Sequence, residues 1–152
     1  METAVAMVAL QGATSAFDRF YTYVIPPDLL GKAIPGKRVL VPFGRGNIKK
    51  QGMIFQIDTA DGKGLKSIYS LIDNEAVLSE KMLEVCEYLH DKTFCTYYDG
   101  IHALLPAGLT HRLVNYYSAN TQFADISLLN DDEKDIYLYL SNNREKAESD
   151  IL

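Results

Sequence analysis

The apolar and polar positions of this chain change period once, at Ser79. Before it they form short, strand-like runs. Val5 to Leu10 reads as a first strand and Gly12 to Ser15 as a turn or loop. Phe20 to Ile25 is β-branched and aromatic, and Pro26-Pro27 closes it with two residues that cannot donate a backbone hydrogen bond. Asp28 to Gly31 makes a single turn. Pro35-Gly36 suits a type II turn, with Pro at i+1 and Gly where φ must be positive. Lys37 to Val41 alternates, so Val39 and Val41 face one side while Arg38 and Leu40 face the other. Pro42 marks an edge or a bulge, and Gly44 and Gly46 bracket Arg45 in a tight loop. Met53 to Ile57 returns as a strand, Asp61-Gly62 and Gly64 form a loop, and Lys66 to Ile72 is the next strand.

From Ser79 the spacing is helical. Leu83, Val85, Cys86 and Leu89 lie on a helix over Leu78 to His90, with Ser79 as N-cap and Glu80 and Glu84 near its positive end. Tyr98 to Leu105 predicts a second helix that stops before Pro106. Pro106-Ala107-Gly108 is the candidate domain boundary. Beyond it, Leu113 to Tyr117 reads as a strand and Asn130-Asp131-Asp132-Glu133 opens a helix carrying Ile136, Leu138 and Leu140. Asn142-Asn143 breaks that helix and Ala147 to Leu152 begins another. The expected class is mainly β with helices (α+β): a domain over 1–108 made of a small β-barrel followed by two helices. Residues 109–152 are too few for a core of their own and read as a truncated second domain.

Composition narrows the chemistry by exclusion. No run of about 18 uncharged apolar residues exists to span a membrane. Met1 to Leu10 lacks a basic flank and a cleavage site, so it is not a signal peptide, and the cytoplasm is the expected compartment. Cys86 and Cys95 lack CxxC spacing and read as buried or idle thiols. His90, His102 and His111 have no convergent acids and read as surface or helix-end residues. Gly62-Lys63-Gly64-Leu65-Lys66-Ser67 fails as a phosphate loop because Leu65 separates Gly64 from Lys66. Gly44-Arg45-Gly46 followed by Gly52 does not open a dinucleotide fold either. No arrangement suggests an enzyme.

A net charge of −5 argues against nucleic acid, but the average hides a split. Residues 1–70 carry nine Lys/Arg against five acids, a net of +4, whereas 71–152 carry six against fifteen, a net of −9. One half is suited to meet an anion; alternatively, both blocks are plain solvated faces. The positive half also holds rings. Tyr21 and Tyr23 share a strand face, Phe43 adjoins Gly44 where backbone can approach a ligand, and Arg45, Lys49, Lys50 and Lys66 follow. Aromatic faces stack on bases for about 1–3 kcal/mol each, and cations neutralise phosphates.

Two stretches carry more specific wording: Phe17-Asp18-Arg19-Phe20-Tyr21-Thr22-Tyr23-Val24-Ile25-Pro26 and Pro35-Gly36-Lys37-Arg38-Val39-Leu40-Val41-Pro42-Phe43-Gly44-Arg45. From Val5 to about Pro106 the chain resembles the opening of the PriA family, the primosomal protein N′ or replication-restart helicases, in the region that binds the 3′ end of DNA. The resemblance implies a pocket for the 3′-terminal nucleotide of the leading strand at stalled forks. It assigns DNA binding to Tyr21, Thr22, Tyr23, Phe43, Gly44, Arg45 and Lys66. Tyr21 and Phe43 would wall the nucleotide, Gly44 would admit the backbone, Thr22 would meet the sugar hydroxyl, Tyr23 would support, and Lys66 with Arg45 would hold phosphate.

This sequence departs from that family at Thr22, where an Asp is common; an uncharged acceptor makes a hydrogen bond weaker by about half. Thr96 and Tyr98 also replace the Pro and Gly usual between the two helices. The resemblance continues loosely past about 115 into the start of a winged-helix domain, truncated before its wing. The partners it implies are single-stranded or forked DNA with a free 3′ end, other primosome proteins and single-strand-binding protein. ATP, magnesium and zinc belong to the family's later domains, and no cofactor is expected on these residues. Two other readings stand beside it: a protein-interaction adaptor without nucleic-acid affinity, and an RNA-binding barrel.

Overall fold

The computed structural model describes residues 2–109, 114, 116–120, 122, 125–143 and 145–147. The chain divides into two compact units, 1–110 and 111–152. In the first, β1 (Glu2–Leu10), β2 (Tyr21–Val24), β3 (Arg38–Phe43), β4 (Ile48–Asp61) and β5 (Ser70–Leu71) form an antiparallel sheet in the order β2-β1-β4-β3-β5. The backbone of the sheet is the long β1–β4 ladder, from Glu2 opposite Asp61 to Leu10 opposite Gly52. Its register slips between Met7 and Val8, so that Phe55 is an extra residue in β4. Such a bulge bends the strand and increases its twist.

Apolar alternation buries both faces of this sheet. On one, Ala6, Val8 and Leu10 of β1, Tyr23 of β2, Val39 and Val41 of β3 and Ile54 of β4 pack with Ile25, Ala33 and Ile68. On the other, Ala9, Met53 and Phe55 pack against α1 (Glu80–Lys92) and α2 (Tyr97–Leu104) through Leu83, Cys86, Tyr98 and Ile101. Ser79 caps α1 by accepting from the Met82 amide. Thr96 and Asp99 form a reciprocal capping box on α2; their hydrogen bonds hold the Asp99 carboxyl below its ordinary pKa. The Tyr98 hydroxyl lies 2.8 Å from Gln51 Nε2, which donates to it. At Thr96 and Tyr98, then, the side chains serve the fold.

The expected β-barrel is corrected to an open sheet. Among the described residues β2 and β5 are its two edges. What joins them is an isolated bridge between Val24 and Ser67, with Val24 donating to the Lys66 carbonyl and Ile68 donating to that of Val24. Closure fails for a local reason: β5 is two residues long, and β2 runs into Pro26-Pro27. The strand expected over Lys66 to Ile72 thus shrinks to Ser70–Leu71, which leaves Lys66 on a loop. By contrast, β4 reaches nine residues further than Met53 to Ile57: five before it, because the basic stretch from Ile48 pairs with β3, and four after it, which pair with the start of β1. Pro42 lies inside β3, on the side where β5 has already ended, so its missing N–H deprives no partner.

The Pro35-Gly36 turn is present, with Gly36 at φ 83° and the Lys37 amide donating to Ile34. The Gly36 carbonyl then accepts from Val77 and Leu78, tying the turn to the chain that leads into α1. In the second unit, α3 (Asp131–Asn142) starts at a capping box of Asn130 and Glu133, and β6 (Tyr116–Tyr117) pairs with β7 (Lys146–Ala147). Ala147 is therefore in a strand rather than opening a helix; residues 148–152, like His111 and Leu113, lie outside the described residues.

Candidate nucleic-acid interface

Extended alternation on β2 turns Tyr21 and Tyr23 to the same face. Tyr23 sits deeper. It is 3% exposed, and its hydroxyl donates to the Pro42 carbonyl at 3.1 Å. Burial, with a smaller contribution from neighbouring Tyr21, pushes its pKa up to about 12, so the phenol stays a donor. Tyr21 is half-buried; its hydroxyl donates to the Phe17 carbonyl at 3.0 Å. Its ring meets Phe43 edge-on, with centroids 5.2 Å apart and planes at 88°. Phe20, just before Tyr21 in sequence, faces the helices instead and packs on Phe55 and Tyr97.

Phe43 ends β3, and the chain turns at once through Gly44 at φ 67°. That backbone favours glycine whether or not anything crowds it, and among the described residues no heavy atom beyond its two chain neighbours lies within 4 Å of the place a Cβ would take. The Gly44 carbonyl accepts a hydrogen bond from Lys66 Nζ. Lys66 therefore reaches across from its loop to the hairpin, although 22 residues separate the two in sequence.

Between these elements opens a pocket of about 520 Å³. Tyr21, Thr22, Tyr23, Phe43, Gly44 and Lys66 all line it, so six of the seven residues singled out in the sequence come together. Arg45 does not; it is at the exposed tip of the β3–β4 hairpin. Thr22 is exposed, on an edge strand, and lines the pocket. Arg19 lines the pocket and was missed in the sequence reading. Its guanidinium carbon stands 5.2 Å from the Tyr21 ring centroid, within cation–π range. The signal was present, since Arg19 precedes Tyr21 by two residues and extended chain sends both the same way.

The pocket thus offers two ring surfaces, the exposed residue Thr22, an open glycine turn and two cations. Such a set suits a nucleotide: rings for the base, Thr22 for a sugar hydroxyl, cations for phosphate. Among the described residues no group of three or more His, Cys, Asp or Glu could hold a metal ion.

Not every basic residue of the positive half is available. Arg38 is 1% exposed and held by Asp73, with Nε–Oδ2 at 2.9 Å and Nη2–Oδ1 at 2.5 Å. It also donates to the Leu109 carbonyl. The Asp73 hydrogen bond keeps its pKa raised. Lys37 is buried too. Asp18 accepts from the Tyr97 amide at 3.1 Å and lies 3.2 Å from His90 Nε2, while the His90 ring stacks on Tyr97 at 3.9 Å. These contacts fasten the loop before β2 to the helices, which fixes where Arg19 and Tyr21 start.

Two comparisons with known proteins bear on this geometry. Residues 7–106 match the family model described as the 3′DNA-binding domain (3′BD) of PriA. The chain is also 36% identical over 107 residues to the replication restart protein PriA of Bacillus subtilis. That alignment takes in 68% of this chain and 13% of the relative, so the chain spans about an eighth of that protein's length. Among the described residues no helix is long and apolar enough to cross a membrane. With the family match covering residues 7–106, the chain belongs to the PriA 3′DNA-binding domain family.

Proposed function

We propose that the pocket takes the 3′-terminal nucleotide of a DNA strand, and that the chain thereby captures the leading-strand end at stalled forks in cytoplasmic replication restart. Tyr21 and Phe43 wall the base, Gly44 admits the backbone, and Thr22 accepts from the terminal hydroxyl. Tyr23 supports them from beneath. Lys66 and Arg19 meet the nearest phosphate, with Arg45 on the hairpin tip available to strand further along. The division at 108/109 belongs to the same reading, with an end-binding domain before it and the start of a winged-helix domain after it. The observation that carries the proposal is the convergence of Tyr21, Thr22, Phe43, Gly44 and Lys66 on one pocket from three separate elements.

A strand without an end is the natural control. Fluorescence anisotropy of the chain with a linear single strand, competed by the same strand unlabelled in linear or circular form, measures the end's contribution. The linear competitor is expected to displace the probe at much lower concentration than the circle. Equal competition by the two overturns end capture in favour of generic strand binding.

A further inference from the structure

A second cavity, of about 250 Å³, shares the Tyr21 and Phe43 rings with the pocket above. Leu10 and Gly12 form part of its wall, and Phe17 and Lys50 line it as well. Its surface is chiefly hydrocarbon and ring, which suits a flat, weakly solvated group and not a phosphate. Phe17, on the single 3-10 turn Ser15–Phe17, is 60% exposed, which leaves its ring open to a ligand. Lys50 is half-buried, and its Nζ lies over Gly12, 3.6 Å from where a Cβ there would stand. Among the described residues Lys50 makes no ion pair.

We propose that this second cavity takes the base of the second-last nucleotide, with Lys50 neutralising a phosphate of the same strand. The proposal rests on the end-capture reading above. Two cavities that share one aromatic wall are neighbours by construction, and neighbouring bases of one strand are the ligand that presents flat groups in succession. The volume lies below the usual range for drug-sized ligands, roughly 300–1,000 Å³, and suits a single ring system. The lone cation matches one phosphodiester. The Phe17 ring supplies an exposed face for stacking, while its backbone carbonyl keeps Tyr21 in place. That separation makes the side chain testable: Phe17→Ala removes the ring and leaves the carbonyl.

The test uses the whole chain and three short single strands with free 3′-hydroxyl ends: one intact, one with an abasic tetrahydrofuran at the second-last position, one with it at the last. Anisotropy at a single stated salt concentration gives the affinities. Loss of the second-last base is expected to weaken binding about five- to hundredfold, the range of one base–aromatic stack. Phe17→Ala is expected to shrink that difference several-fold while the last base still matters. Lys50→Gln is expected to flatten the salt dependence. If only the last base matters, the second subsite is wrong and end capture stands. If neither base matters, both readings fall. An undiminished second-last effect in Phe17→Ala places that base elsewhere and overturns the proposal.

Discussion

Under the proposed end capture, Thr22 sets how sharply the pocket can tell a strand end from strand interior. Its hydroxyl is an uncharged acceptor, and charge assistance about doubles a hydrogen bond. Thr22→Asp is therefore expected to widen the preference for a hydroxyl-ended over a phosphate-ended strand by several-fold, read from paired anisotropy titrations. An unchanged ratio would mean that Thr22 does not meet the terminal sugar. Tyr23 gives a different signature. Its pKa rises from about 10 to about 12 on folding, so the folded state holds the proton more tightly. Stability from this source is intact below pH 10 and lost as pH rises towards 12. The Cys86 thiol, raised by burial to about 11, adds a loss of the same sign starting near pH 9. Denaturant midpoints taken across pH 8–11.5 should fall, and Tyr23→Phe should flatten the upper part of that fall. The same substitution loses the bond to Pro42, at about 1 kcal/mol. Much of this site was legible beforehand: alternation pairs Tyr21 with Tyr23, and the Phe43-Gly44 step marks a turn. The Lys66 contact with Gly44 was not, because it depends on how a distant loop returns to the hairpin.

At the scale of elements, the joints between strands and helices hold the site in shape. Gly36 is one of them. A Cβ there would fall 1.9 Å from the Leu78 carbonyl, on a backbone already at φ 83°. Gly36→Ala is expected to lose at least about 2 kcal/mol of stability by denaturant melt. The pair of Arg38 and Asp73 is another. Removing one partner of a buried ion pair costs about 3–5 kcal/mol, so Asp73→Ala should destabilise the first unit while leaving every pocket residue in the chain. The elements themselves were readable from period, residue type and end signals together: β1, β2, β3, α1, α2 and α3 start or stop within a few residues of their expected limits. The barrel was not, because closure turns on whether Lys66 to Ile72 makes a continuous ladder. Its apolar residues look the same whether they pair along the strand or, as here, touch β2 at a single bridge. β4 was read short for the converse reason. Lys49-Lys50-Gln51 has no strand-like alternation, and pairing with β3 holds it in the sheet.

Across the whole molecule, net negative charge and DNA binding are compatible because the cations are local. Of the nine Lys/Arg in residues 1–70, Lys37 and Arg38 are buried and cannot reach phosphate. Arg19 and Lys66 line the first pocket and Lys50 the second, and on the proposed reading these are the near phosphate contacts. Single-stranded DNA gives a slope of log K against log salt of about −0.7 per phosphate neutralised. Two or three contacts predict a shallow slope of roughly −1.5 to −2, with Lys66→Gln reducing it by about 0.7. A much steeper slope would mean that the strand runs over a wider surface than these pockets. The central claim, however, is recognition of the end itself. Its most direct measurement is anisotropy with one short single strand, at one salt concentration, ending in either a free 3′-hydroxyl or a 3′-phosphate. End capture predicts tighter binding of the hydroxyl form, since a phosphate cannot donate to Thr22 and adds bulk and charge where the sugar should close against Gly44. Equal affinity, or a preference for the phosphate, would contradict it.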